Sequence, residues 1–162
     1  MHKKYSGYLL LALAIGIVLF QYFKYRVAPN FNVIDLKLIT AEGKAYPITF
    51  KENKLLVISF FTTWCGSCHQ EFKEIQQAKF KNLIPDVDFI AVTDESLEKL
   101  NNYVANYSYD YIDFVHYPKN VADLGVHAFP TIYIFNSKGK LLFSKVGLVD
   151  WKDAKWLAQF KA

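Results

Sequence analysis

At 162 residues, with 52% apolar and 17% aromatic side chains, the chain supplies one globular core plus a short appendage and excludes general disorder. Its net charge of +4 is confined to the first 27 residues, where Lys3, Lys4, Lys24 and Arg26 meet no acid; from Ala28 onward 15 lysines balance 15 acids. That balance excludes nucleic acid as the partner, since no basic field is left for the folded domain.

The first element is the uncharged run YSGYLLLALAIGIVLFQYF, Tyr5 to Phe23. As a helix it spans roughly 28 Å, close to the hydrocarbon thickness of a bilayer. Tyr5, Tyr8, Tyr22 and Tyr25 stand at its ends like an interfacial aromatic belt, and the flanking cations suit anionic headgroups. Ala12-Leu13-Ala14 lies inside the run and no small-x-small site follows it, which predicts an uncleaved signal anchor over a cleaved signal peptide. Cations flank both ends, so charge alone does not set the orientation. The expected division is a membrane anchor over 1–27, with its transmembrane helix at about 5–25, and a domain over 28–162.

A juxtamembrane linker ends at Pro29, and the near-alternation of FNVIDLKLIT, Phe31 to Thr40, predicts a strand. AEGKAYPITF gives a turn and a short extended piece whose Pro47 marks an edge. KLLVISFF, Lys54 to Phe61, reads as a buried central strand. From Cys65 the spacing turns helical, with Phe72 and Ile75 three apart, and the helix stops before Pro85. VDFIAVT, Val87 to Thr93, is a second buried strand. Asp94, Glu95 and Ser96 start a helix with the stripe Leu97, Leu100, Tyr103 and Val104. NVADLGV is a helical turn stopped by Gly125, TIYIF (Thr131 to Phe135) a strand, NSKGK a hairpin turn and LLFSKVG the returning strand. DWKDAKWLAQFKA closes the chain as a helix bearing Trp151, Ala154, Trp156, Leu157 and Phe160 on one face. The order predicts an α/β sandwich around a mixed sheet.

Both cysteines of the chain lie in FFTTWCGSCHQE, Phe60 to Glu71. Cys65 falls where the central strand ends and a helix begins, so unpaired amides and the helix dipole lower its pKa, and its sulfur is expected to face solvent. Cys68, one turn later, lies toward the body of the domain as a resolving thiol. A disulfide closing so short a ring removes little chain entropy, which favours chemistry over scaffolding. C-x-x-C-H also writes a c-type haem attachment, but the surrounding α/β pattern already accommodates the motif without a haem pocket. Two cysteines with histidines at unrelated spacing do not make a zinc site. His69 is expected to be a solvated surface histidine.

SFFTTWCGSC after an apolar strand, with FPTIYIF some 60 residues later, resembles the thioredoxin superfamily. The N-terminal anchor, the early extended pair, AVTDES and the glycine-flanked hairpin are more closely similar to membrane-anchored bacterial thiol–disulfide oxidoreductases of the TlpA/ResA kind, over about residues 31–161. The resemblance implies a thioredoxin-like α/β/α sandwich with a mixed central sheet, preceded by one transmembrane helix. It implies that Cys65 attacks, that Cys68 resolves, and that Gly66 and Ser67 tune the pair from within the active-site helix. Pro130 becomes a cis-proline beside the cysteines. The backbone of Phe129 would pair with an extended substrate, and Trp64 would border the sulfur. No metal and no cofactor beyond the redox-active Cys65–Cys68 disulfide is implied.

The partners so implied are protein thiols or disulfides, the membrane, and a redox partner protein. The implied place is the cell (inner) membrane, single-pass, with the catalytic domain on the extracytoplasmic, periplasmic side. The direction implied is reduction of exported proteins, with cytochrome c maturation as a candidate process. The alternatives are an oxidising, disulfide-forming enzyme and a non-catalytic tethered peptide-binding module. One departure stands out: where many thioredoxins place a buried carboxylate in the central strand, this chain has Ser59. Glu71, Glu74, Asp94 or a water are left as acceptors of the Cys68 proton.

Overall fold

The structure is a computed structural model describing residues 2–84, 87–153, 156, 159 and 160, with side chains described from Gly7 onward. Helix α1 (His2–Arg26) leads the chain. Its stretch Gly7–Arg26 is exposed along its length and is long and apolar enough to cross a membrane. Such a helix suits a signal anchor or a signal peptide.

The chain then meets the domain at once. The Pro29 carbonyl accepts the Tyr133 hydroxyl at 2.7 Å, and the Phe31 ring stands edge-on to Phe60 and Tyr133. The strand expected from Phe31 does not begin there. Val33–Asp35 forms a 3-10 turn, with the Asn32 side chain accepting from the Ile34 N–H. The reason is spacing: three residues per turn bury Val33 and Leu36 together while Ile34 stays outside. Strand β1 is therefore only Leu38–Thr40, and β2 (Ala45–Tyr46) folds back on it.

The remaining elements are β3 (Leu55–Phe60), α2 (Gly66–Phe80), β4 (Val87–Thr93), α3 (Leu97–Asn106), β5 (Asp113–His116), a 3-10 turn (Val121–Leu124), β6 (Thr131–Phe135) and β7 (Leu141–Val146). Every residue of β3 is buried, as its continuous apolar run requires. Ser96 caps α3 through the Lys99 N–H. Among the described residues the strands join in the order β2-β1-β5-β4-β3-β6-β7. β3, β4 and β5 run parallel, and β1, β2, β6 and β7 pair antiparallel, so the sheet is mixed as expected.

The sequence reading holds no strand over Asp113–His116. Its alternation is real but short: Ile112 and Phe114 face one core, Val115 and Tyr117 the other. With Asp113 and His116 at its ends, that run lacks the apolar continuity of β3 and β4. The strand matters, because β5 is what joins β1 and β2 to the parallel centre. The helix expected from Asp150 does not begin there: Trp151 and Lys152 form a turn and Trp156 is helical, while residues 154, 155, 157, 158, 161 and 162 lie outside the described residues.

One sheet face is covered by α2, α3 and Trp151. The other is covered by the segment around Val33 and Leu36 and the turn around Val121, so short 3-10 turns form most of that outer layer. Gly125 ends the second turn at φ 84°, and a Cβ there would lie 2.9 Å from the Pro29 Cβ. Gly125→Ala is therefore expected to cost roughly 1–2 kcal/mol, read as a Tm several degrees lower for the full chain in detergent.

Candidate active site

The parallel strands end on one side of the sheet, and the site is built there. After β3 the chain crosses the sheet end as Phe61–Trp64, and α2 begins at Gly66. Cys65 is the N-cap of α2, with extended backbone (φ −79°, ψ 103°). Its Sγ accepts the Cys68 N–H at 3.1 Å and lies 3.3 Å from the Ser67 Oγ. A thiolate at this position has an amide, a hydroxyl and the helix dipole to hold its charge.

Cys65 and Cys68 are disulfide-bonded, with S–S 2.07 Å and Cα–Cα 5.3 Å. Cys65 is 6% exposed and Cys68 is fully buried. The asymmetry has the expected sense, but the Cys65 sulfur is less open than the sequence reading holds, because the residue packs into the core formed by α2 and the sheet. Trp64 beside it is 74% exposed.

The Phe129–Pro130 peptide is cis. Thr131 pairs with Phe60 in the β3–β6 register, so the Phe129–Pro130 loop stands at the same end of the sheet as the Trp64–Cys65 turn. The loop is tied on both sides. The Pro130 carbonyl accepts the Gly147 N–H at 2.7 Å, and the Thr131 hydroxyl donates to the Ala128 carbonyl at 2.7 Å. Phe129 is half-buried and packs against both cores.

His69 departs from expectation. It is half-buried, with ring centroids 5.0 Å from Tyr103 and 4.5 Å from Tyr107. Its Nε2 lies 3.4 Å from the Thr63 carbonyl oxygen and its Nδ1 3.3 Å from the Tyr103 hydroxyl. The cause is α3, whose tyrosines cover the side of α2 that the sequence reading leaves to water. Thr63 is held from its other side as well, since its N–H donates to Glu95.

Of the carboxylates that the sequence offers, the one beside Ser59 is Glu71. It is fully buried, accepts the Ser59 hydroxyl at 2.8 Å and accepts the Trp151 indole N–H at 3.3 Å. Burial pushes its pKa up from 4.5 to about 7, against the lowering effect of those two hydrogen bonds. Glu71 follows Cys68 by three residues on the buried side of α2, one turn along. Glu74 instead pairs with Lys152 at 3.5 Å, and Asp94 accepts the Val121 N–H at 2.9 Å. The signal for Glu71 is present in the sequence: an acid on the stripe Cys68, Phe72, Ile75. Replacing Ser59 by Ala removes one of the lowering bonds, so the Glu71 titration is expected to move upward by up to about one pH unit, followed by its carboxyl infrared band.

Comparison with known proteins follows the same lines. The thioredoxin-like domain family matches residues 44–161 of the chain. The thiol-disulfide oxidoreductase ResA of Bacillus anthracis is 28% identical over 149 residues, covering 86% of this chain and 83% of its own. The thioredoxin-like protein YneN of Bacillus subtilis is 25% identical over 163 residues, covering 94% and 95%. Among solved structures, StoA from Bacillus subtilis superposes with a TM-score of 0.61 at 18% identity, covering 80% of this chain and 99% of StoA. The exposed lipoprotein thioredoxin of Streptococcus pneumoniae gives 0.62 at 21% identity, covering 76% and 98%.

Proposed function

We propose that this chain, which belongs to the thioredoxin-like domain family and is a thiol–disulfide oxidoreductase, works as a membrane-anchored reductant of disulfides in exported proteins. The placement of Cys65 Sγ at the N-cap of α2, under the Cys68 amide and the Ser67 hydroxyl, carries the thiol–disulfide reading, and the fully buried Glu71 one turn beyond Cys68 favours the reducing direction.

In the reduced protein the Cys65 thiolate attacks one sulfur of a substrate disulfide. A mixed disulfide forms and the first substrate thiolate leaves. Cys68 gives its proton to Glu71, attacks the Cys65 sulfur, and releases the second substrate thiolate. The substrate gains two electrons and the Cys65–Cys68 disulfide closes, so a redox partner protein must restore the dithiol. Trp64 and Phe129 border the approach, and the Phe129 backbone pairs with the substrate strand. Gly66 and Ser67 set how well the thiolate is held. Residues 1–27 serve as an uncleaved anchor, with 28–162 on the extracytoplasmic side, and cytochrome c maturation is the process the TlpA/ResA resemblance points to.

Two features of the site pull the potential in opposite directions. The buried Glu71 charge opposes a second anion nearby, which favours a reductant. The donors on Cys65 stabilise the reduced form, which favours an oxidant and supports the disulfide-forming reading. The experiment is the reduction potential of the full chain in detergent, together with its rate of insulin reduction. A potential toward about −270 mV supports the reductant, and one toward about −120 mV replaces it with the oxidant.

A further inference from the structure

The end of the domain that carries the cysteines is also the end from which α1 departs. Only Val27 and Ala28 lie between Arg26, the last residue of α1, and Pro29, which is fixed on Tyr133 and packed against Gly125. Three residue steps span at most roughly 10 Å. The Tyr25 ring lies 6.2 Å from the ring of His127, two residues before Phe129, and α1 also approaches β7. Phe31, two residues past Pro29, reaches Phe60 at the end of β3 where the Cys65 turn begins.

Between α1 and the 125–127 loop is a cleft of about 490 Å³, walled by Phe20, Phe23, Lys24, Val27, Gly125 and His127. Its walls are mainly apolar and include the cationic Lys24. That combination suits an acyl chain with an anionic headgroup.

We infer that the catalytic end of the domain faces the bilayer and is held there by a short, fixed tether, with anionic lipid in the cleft between α1 and the 125–127 loop. The opposite end, at the Asn136–Lys140 turn, points away from the membrane. Six residues of β3 alone separate the two ends by roughly 20 Å. The inference rests on the reading that α1 is retained as a span. Combined with the redox reading, it confines turnover to disulfides brought to the membrane plane.

The test needs no redox activity, so its outcome is separate from that of the oxidoreductase reading. The full chain carrying Cys65→Ser and Cys68→Ser receives one donor dye, at Trp64→Cys or at the exposed Lys138→Cys. Each is reconstituted into phosphatidylcholine–phosphatidylglycerol vesicles containing acceptor-labelled headgroups. Energy transfer from position 64 is expected to exceed that from position 138 severalfold. Equal transfer, or more from 138, overturns the inference, as does recovery of the expressed chain without residues 1–26. Inserting about ten Gly/Ser residues after Val27 adds a flexible reach of roughly 17 Å and is expected to bring the two signals together. An undiminished difference after insertion overturns the tether as the cause.

Discussion

Cys65→Ser is expected to abolish insulin reduction, with turnover falling to the level of solution thiols, while Cys68→Ser leaves one attack intact and then stalls. The two sulfurs differ in access and in support. Cys65 keeps some exposure and has both the Cys68 amide and the Ser67 hydroxyl beside its Sγ. Cys68 is fully buried and reaches only what Cys65 has already bonded. The Cys68→Ser protein should therefore accumulate as a mixed disulfide with substrate, visible on a non-reducing gel and released by dithiothreitol. Trapping by Cys65→Ser in place of Cys68→Ser would reverse the assignment of attacker and resolver.

Glu71→Gln is expected to slow resolution of the mixed disulfide by about 100-fold near neutral pH, the usual worth of a positioned base, and to stabilise the fold at the same time. The folded carboxyl holds its proton to about pH 7, whereas the ordinary value is 4.5. Between those values only the folded chain is protonated, so stability is greatest below 4.5, falls as pH rises, and levels off above about 7. The full difference is about 3 kcal/mol. An amide keeps a hydrogen bond to Ser59 and to Trp151 and has no charge to bury, so denaturant melts of Glu71→Gln should lose most of that slope. A variant with unchanged resolution kinetics would remove Glu71 from the proton path while leaving its effect on stability.

These two predictions rest on residues that the sequence discloses unequally. Cys65 and Cys68 were legible because strand-then-helix placement gives each a distinct environment. β3 and β4 were legible because each is nearly continuous in apolar residues, as a strand buried on both faces is. β5 was not, since four residues with Asp113 and His116 at the ends carry too little pattern, and its identity comes from pairing with β1 and β4. The strand expected over Phe31–Leu36 failed because alternation and a three-residue turn bury similar subsets in so short a run. His69 was expected in solvent, and Glu71 was not told apart from Glu74 and Asp94, for a shared reason. Local spacing shows which side of α2 a residue occupies, but Trp151 and Tyr103 come from 80 and 34 residues away to define what lies on that side.

The bond from Tyr133 to the Pro29 carbonyl joins residues 104 apart in sequence. It also sets an order of events during biosynthesis. Helix α1 is made before the domain, yet the segment that follows it has nowhere to dock until β6 exists. Forming that contact closes a loop that contains most of the domain, so it comes late, after the local pairing of β3 with β4. Until then Pro29, Phe31 and Val33 stay exposed, and the growing domain is joined to α1 by a longer, looser segment than in the finished fold. The late strand β6 thus decides when the segment after α1 becomes fixed to the domain.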